Sequence, residues 1–271
     1  MIFAKSQSVN QPHRSPIKFP PLRIPGQSLN EEITRLSERI DSRLLPAFIF
    51  VLLTLFEWYR WGTDLRTNPW PLTLITVLLL PYTAWAIAKH RKQMAKLRLG
   101  LDGERTVGQS LENLRAYGYQ VFHDIPGIGF NIDHVIVGPA GIYTIETKTL
   151  SKPARGNPTI TYDGDILRRD DGWEMGQHLV QARAQASWLA DLLNQGRRAK
   201  YYIRPVVLFP GWWVKNIAPS EKRDILVLNE KALPHFLANE PDTLTSDAVE
   251  TAANCIMQYC QLSGTSRKAV A

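Results

Sequence analysis

The 271 residues leave room for one sizeable domain and additional segments. A formal net charge of +7 and a pI near 9.4 suit a polyanionic partner or an anionic membrane surface. The two cysteines, Cys255 and Cys260, have no metal-ligand company, which argues against a disulfide framework or a cysteine metal site and points to a reducing compartment.

Residues 1–27 are rich in Pro, Ser and Gln, with scattered Arg14, Lys18 and Arg23, a composition that predicts disorder. No apolar core follows a basic start, so no secretory signal is expected. Residues 28–43 space Leu29, Ile33, Leu36 and Ile40 as an amphipathic helix. Two apolar runs follow, 44–61 (LLPAFIFVLLTLFEWYRW) and 70–88 (WPLTLITVLLLPYTAWAIA). Each falls in the roughly 17–25 residues of a bilayer span. Trp58, Tyr59, Trp61 and Trp70 gather at the shared end like an interfacial aromatic belt. The outer flanks carry Arg35, Arg39 and Arg43 before, and Lys89, Arg91, Lys92, Lys96 and Arg98 after. The positive-inside rule therefore places both ends in the cytoplasm. The alternative is a buried helical hairpin of a soluble protein; run length and charge asymmetry argue against it. Residues 89–99 read as a basic juxtamembrane linker lying on anionic lipid.

The folded domain begins near Gly100. Residues 101–117 read as a helix with Val107, Leu111 and Leu114 on one stripe, and Glu104 falls on that stripe. An inward carboxylate is costly unless paired or metal-bound. The plainer reading is an acid favouring a helix N-terminus, and both stay open here. Residues 119–125 alternate as a first strand. His123 and His134 are candidates for proton transfer, although a lone strand histidine is more often a hydrogen-bonded structural residue.

The stretch NIDHVIVGPAGIYTIETK, 131–148, reads as two strands joined at Gly138-Pro139-Ala140-Gly141. With Pro139-Ala140 as loop centre, Gly138 faces Gly141, Asp133 faces Glu146 and Asn131 faces Lys148. Period-two alternation puts Asp133, Glu146 and Lys148 on one face. Opposed carboxylates destabilise a strand pair, and a hard divalent cation would relieve them. An ordinary solvated face with a Glu-x-Lys surface pair is the competing reading.

Beyond the hairpin, 159–162 and 166–169 suggest a second hairpin at the sheet edge. Its basic neighbourhood, Lys152, Arg155, Arg168 and Arg169, could contact phosphates or simply be solvated. Residues 175–195 form a strong helix with Leu179, Ala182, Ala186, Leu189 and Leu193 on its apolar face. Gln181 and Gln185 sit one turn apart beside that face, Gln185 by default as a core-edge residue. Residues 201–209 read as a buried strand, followed by Trp212-Trp213, which serve base stacking or, more commonly, packing. A short strand at 224–228, helices at 231–238 and 247–262, and a frayed basic tail at 263–271 close the chain.

Taken together, residues 99–193 resemble the nuclease-related domain family, NERD. The matching pieces are Gly100-Leu101-Asp102-Gly103-Glu104, then Asn131 to Val137, then Pro139-Ala140-Gly141-Ile142-Tyr143 with Ile145-Glu146-Thr147-Lys148, and Gln181. That family is similar to the restriction-endonuclease-like PD-(D/E)XK superfamily, which implies an α/β fold: a mixed β-sheet flanked by helices, here preceded by a two-helix transmembrane hairpin. By that resemblance Glu104, Asp133 and Glu146 would bind Mg²⁺, or Mn²⁺. Lys148 would position water or steady the transition state, and Gln181 would support the site. The family's Asn-Pro pair before that glutamine is replaced by Gln177-His178.

The expected organisation is a disordered and amphipathic N-terminus (1–43), a transmembrane hairpin (44–61 and 70–88), a basic linker (89–99), a nuclease-like domain (100–240) and a C-terminal helix and tail (241–271). The expected function is a multi-pass protein of the inner membrane, both termini cytoplasmic, that hydrolyses phosphodiester bonds of nucleic acid, in particular DNA, and could form a homo-oligomer. A catalytically silent module that tethers nucleic acid or protein to the bilayer is the alternative. A receptor whose membrane hairpin senses a signal is weaker, because the link between the runs is short.

Overall fold

A computed structural model describes residues 22–63, 67–152, 156, 158–196 and 200–270, with side chains through 263. The stretch 1–21 of the expected disordered segment, and Arg155, lie outside the described residues. Two long helices lead the chain, α1 (Gln27–Gly62) and α2 (Trp70–Glu112). They pack antiparallel. Thr54 and Thr76 share a hydroxyl hydrogen bond of 2.7 Å, Trp58 Nε1 donates to Thr73 Oγ1 at 2.9 Å, and Gln93 Nε2 donates to Glu32 Oε1 at 3.4 Å. Over the apolar runs the pair is inside out. Thr54, Thr76 and Thr83 are buried, whereas Phe48, Leu55, Phe56, Leu74, Leu78 and Trp85 are exposed. Water-soluble helices reverse that arrangement.

Among the described residues, one helix, Trp70–Tyr117, is long and apolar enough to cross a membrane, with mean hydropathy 1.7 in its most apolar window. The run 44–61 is helical as expected, but it is not a second such helix. It ends in Glu57 and Arg60, which pair with each other at 3.0 Å. The helices therefore form a hairpin without giving two clear spans. Residues 89–99, expected as a basic linker, are helical. They lie inside α2, which runs unbroken for 43 residues, about 64 Å at 1.5 Å per residue. Their Lys, Arg, Gln, Met, Ala and Leu side chains are all good helix formers.

The remainder is α/β, with mixed sheets flanked by helices. Strands β1 (Gln120–Pro126), β2 (Asn131–Gly138), β3 (Gly141–Thr147), β6 (Ile203–Leu208) and β8 (Leu226–Leu228) form a five-stranded sheet in the order β1-β2-β3-β6-β8. The first three are antiparallel, and β3-β6 and β6-β8 are parallel. Helix α3 (Gly176–Asn194) lies in the crossover from β3 to β6, on one face of the sheet with α5 (Ser246–Val270). Val107 and Leu111 of α2 pack on the other face with Ile136, Tyr143 and Ile145, and α4 (Ala232–Asn239) adds Leu233 and Leu237 there. The expected second hairpin exists, as β4 (Thr159–Tyr162) and β5 (Leu167–Arg169), but it does not edge the main sheet. It joins β7 (Trp213–Asn216) in a separate sheet of order β5-β4-β7. Helix α5 extends through the stretch expected to fray, as far as Val270. Cys255 and Cys260 are free thiols.

Candidate functional site

The central hairpin turns where the sequence places it. Gly138 pairs with Gly141 and His134 with Ile145. The ladder stops there. One step further, Asp133 takes the Thr147 backbone amide on Oδ2 at 2.7 Å rather than completing a pair with Glu146. Lys148 likewise leaves Asn131 and donates its amide to Leu208 O of β6 at 2.8 Å. The strands thus splay at their ends, and that opening holds the acids.

Glu146, 2% exposed, lies toward α3. Its Oε1 contacts the Lys148 ammonium. Its Oε2 accepts from Gln185 Nε2 at 2.5 Å, and that amide also donates to Asn131 O at 3.1 Å. Lys148 Nζ in turn donates to Gln181 Oε1 at 3.5 Å. The two glutamines one turn apart therefore divide the work: Gln181 meets the lysine and Gln185 meets the glutamate. Gln185 is a site residue that sequence reasoning left at the core edge; its spacing from Gln181 was the available signal.

Glu104 comes from α2, 7% exposed. It sits one residue after Gly103, where an added Cβ would stand 1.6 Å from Thr149 Oγ1. That missing side chain lets α2 close on the end of β3. Burial, then the charges of Asp124 and Glu146, push the Glu104 carboxyl up to about 7. Burial, then Glu146 and Glu104, push Asp133 well above the usual carboxylate range, against the pull of the Thr147 amide. Burial alone would lower the Lys148 ammonium, but Glu146, Asp133 and Glu104 outweigh it and hold it above its ordinary value. His178, at the departure from the family motif, is pushed down to about 4 by burial and then by Lys148. It is a neutral imidazole facing the lysine.

A wall of the site comes from a segment that the sequence assigns to disorder. Leu22 to Gly26 lie against the domain, and Gly26, with φ of 69°, caps α1 without a side chain of its own. Asp124 on β1 supplies the missing acceptor. Its buried carboxylate takes Ser28 N at 2.9 Å, Ser28 Oγ at 2.7 Å and Arg23 Nε at 2.6 Å. Negative charge at a helix N-terminus is stabilising, and Asp124 adopts a φ of 50° to reach it. Gly26 fits between Leu101 and Glu104: a Cβ there would lie 2.3 Å from Leu101 Cδ1 and 3.5 Å from Glu104 Oε2. Its amide favours the charged form of Glu104.

His123 and His134 are not brought to the acids. They oppose each other across β1 and β2, share an Nδ1–Nδ1 hydrogen bond of 2.9 Å, and His123 Nε2 meets Glu112 at 2.8 Å. Arg168 and Arg169 stand on β5, paired with Glu174 and Asp163 and with Asp171. Lys152 lies four residues past Lys148, exposed.

Three acids from a helix and two strands, Glu104 and Glu146 buried and Asp133 partly so, couple electrostatically to the Lys148 ammonium at the end of the mixed sheet. Residues 99–210 match the family model described as NERD: Nuclease-related domain. That span covers the resemblance in the motifs and leaves the α1–α2 hairpin largely outside it. No curated protein and no solved structure matches the chain.

Proposed function

We propose that this protein is a membrane-anchored, metal-dependent nuclease that hydrolyses phosphodiester bonds of nucleic acid, DNA foremost, on the cytoplasmic side. The observation that carries the reading is the Glu146–Lys148 contact with Glu104 and Asp133 coupled to it electrostatically, within a segment that matches a nuclease-related family. The inside-out α1–α2 pair supports the anchor. The basic residues flanking the apolar runs support cytoplasmic termini.

The donor set fits a divalent cation of the Mg²⁺ or Mn²⁺ kind. All three groups are hard oxygen acids, and the Lys148 ammonium favours the charged forms of Glu104 and Asp133. Glu104, Asp133 and Glu146 would hold the ion. Bound there, it would lower the pKa of water and offset charge on phosphoryl oxygens. The chain's own contributions follow from its contacts. The Thr147 amide fixes Asp133, Gln185 fixes Glu146, and Gln181 and Glu146 aim Lys148. Lys148 keeps its proton and so presents a fixed positive charge to a phosphate in the opening.

One observation favours the silent tether. Among the described residues, no three His, Cys, Asp or Glu side chains stand as a group able to hold a metal ion as arranged, because Glu146 is turned onto Lys148 and Gln185. The deciding experiment uses the full chain in detergent with plasmid and linear DNA, in Mg²⁺, Mn²⁺ or EDTA. Metal-dependent cutting that disappears in Asp133→Ala supports the nuclease. DNA retention without cutting, unchanged by that substitution, supports the tether.

A further inference from the structure

A cavity of about 520 Å³ has among its lining residues Lys152, Gly211, Trp212, Trp213, Glu230 and Lys231, with the Glu230 carboxylate engaged by the Gly211 amide. It lies past the carboxyl ends of the parallel strands β6 and β8, which end at Leu208 and Leu228. Open α/β sheets bind ligands outside those ends. The cavity is continuous with the acids along the chain. Lys152 follows Lys148 by four residues, so their Cα atoms are at most about 14 Å apart.

The floor is rigid. Trp212 is 2% exposed and donates Nε1 to Leu150 O at 3.3 Å. Gly211, at φ of 73°, donates its amide to Glu230 Oε2 at 2.8 Å. A Cβ on Gly211 would sit 2.7 Å from Lys152 Nζ, which places the lysine across the loop against the glycine. Trp213 has the opposite disposition to its neighbour. Its backbone is pinned in β7, donating to Pro158 O at 3.0 Å, while its side chain is 66% exposed. Two cations complete the rim. Arg168, Arg169, Arg183 and Lys222 are each paired with an acid. Lys152 and Lys231 are exposed and form no ion pair among the described residues.

We propose that this cavity binds an unpaired nucleotide stretch flanking the scissile phosphate, with the Trp213 indole stacking a base and Lys152 and Lys231 neutralising the adjoining phosphates. An indole offers a π-face but no base-edge code, so binding is tolerant of sequence. Bases inside a duplex have their faces already stacked, so the ligand is a single strand or a frayed end. The inference rests on the nuclease reading for its substrate, but its binding step needs no metal and is tested separately.

The experiment uses the full chain in detergent with EDTA, titrated against a labelled oligothymidylate of about 12 nucleotides, within single-strand site sizes, and against a duplex of the same length. Trp213→Ala should weaken single-strand binding about 5- to 150-fold, the range for loss of one stacked base. Trp213→Phe should recover most of it, and duplex binding should change less. Replacing Lys152 and Lys231 with Gln should lower the salt slope of single-strand binding by about 0.7 for each lysine. Wild-type affinity in Trp213→Ala, with an unchanged melting profile, overturns the subsite, as does an equal loss on duplex. Cleavage by the wild-type chain in Mg²⁺ is scored independently. Cutting with a Trp213→Ala chain that binds normally removes the subsite and leaves the nuclease. Trp213-dependent binding without any cutting removes the nuclease and leaves the subsite.

Discussion

Glu104→Gln separates the cost of the acid site from its use. Glu104 is buried and its carboxyl is pushed up to about 7 by burial and by Asp124 and Glu146. Against an ordinary value near 4.5, the group binds its proton more tightly folded than unfolded. Its favourable contribution is complete below the unfolded value and is lost as pH rises through about 7. At 1.36 kcal/mol per unit, the charged acid costs about 3 kcal/mol at pH 8 and less than about 1 kcal/mol at pH 5. Asp133 shifts the same way. Gln keeps the size and removes the charge. In EDTA at pH 8 the variant should therefore melt higher than wild type, by about 6–12 °C at roughly 2–4 °C per kcal/mol, with the gap mostly closed at pH 5. On the proposed metal reading Mg²⁺ should reverse the order, because it would stabilise the chain that keeps Glu104 as a ligand more than the variant. Thermal unfolding of the two full-length chains, followed by near-ultraviolet circular dichroism, reads all four conditions. A variant no more stable than wild type at pH 8 in EDTA, or equally stabilised at both pH values, would refute the idea that this carboxylate is held at a cost.

Three further substitutions probe the same arrangement. Lys148→Met removes the ammonium shared by Glu146 and Gln181 and should lower cleavage by about 10²–10³-fold, the scale for loss of one transition-state donor, read in single-turnover assays at saturating metal. Gln185→Leu strips Glu146 and Asn131 O of a common donor; a loss of about 1–3 kcal/mol is expected from the orphaned acceptors, together with weaker Mn²⁺ binding by calorimetry. Asp124→Ala leaves Arg23 and the first turn of α1 without an acceptor. Limited trypsin digestion should then cut after Arg23 faster than in wild type, and Mn²⁺ affinity should fall as Gly26 leaves Glu104.

The hairpin was legible because its loop leaves little choice: Pro139-Ala140 between two glycines fixes the register, and the pairs from Gly138–Gly141 to His134–Ile145 follow by counting. The same counting fails at Asp133, where an amide one residue along competes for the carboxylate and wins. Glu104 could be suspected because a charge on an apolar helix stripe is costly. Asp124 could not. Its partners lie 96 and 101 residues away, and a left-handed aspartate inside a strand leaves no periodic trace. Strand β7 was missed for a related reason: Trp-Val-Lys-Asn has no buried residue to mark it. Of the Trp212-Trp213 pair, Trp212 is buried in the core, as the packing reading has it, and Trp213 is open to solvent.

The unforeseen contacts change where the functional unit begins. A cut at Gly100, the boundary suggested by composition, would remove Gly26 from Glu104 and Ser28 and Arg23 from Asp124. Two buried acids would lose the donors that offset their charge, and the site would be left more negative. Glu104 also rides on the helix that carries the most apolar run, 16 residues past Ala88 with no break between, about 24 Å along the axis. Helix α1 starts at the sheet, where Ser28 of its first turn bonds Asp124, and runs alongside that helix. Both walls around Glu104 are therefore continuous with the two helices proposed to anchor the chain, and a hinge between anchor and site has no place in the backbone to form. On the proposed anchoring, the height and orientation of the acids relative to a bilayer would be properties of the helix pair, set when α1 and α2 dock.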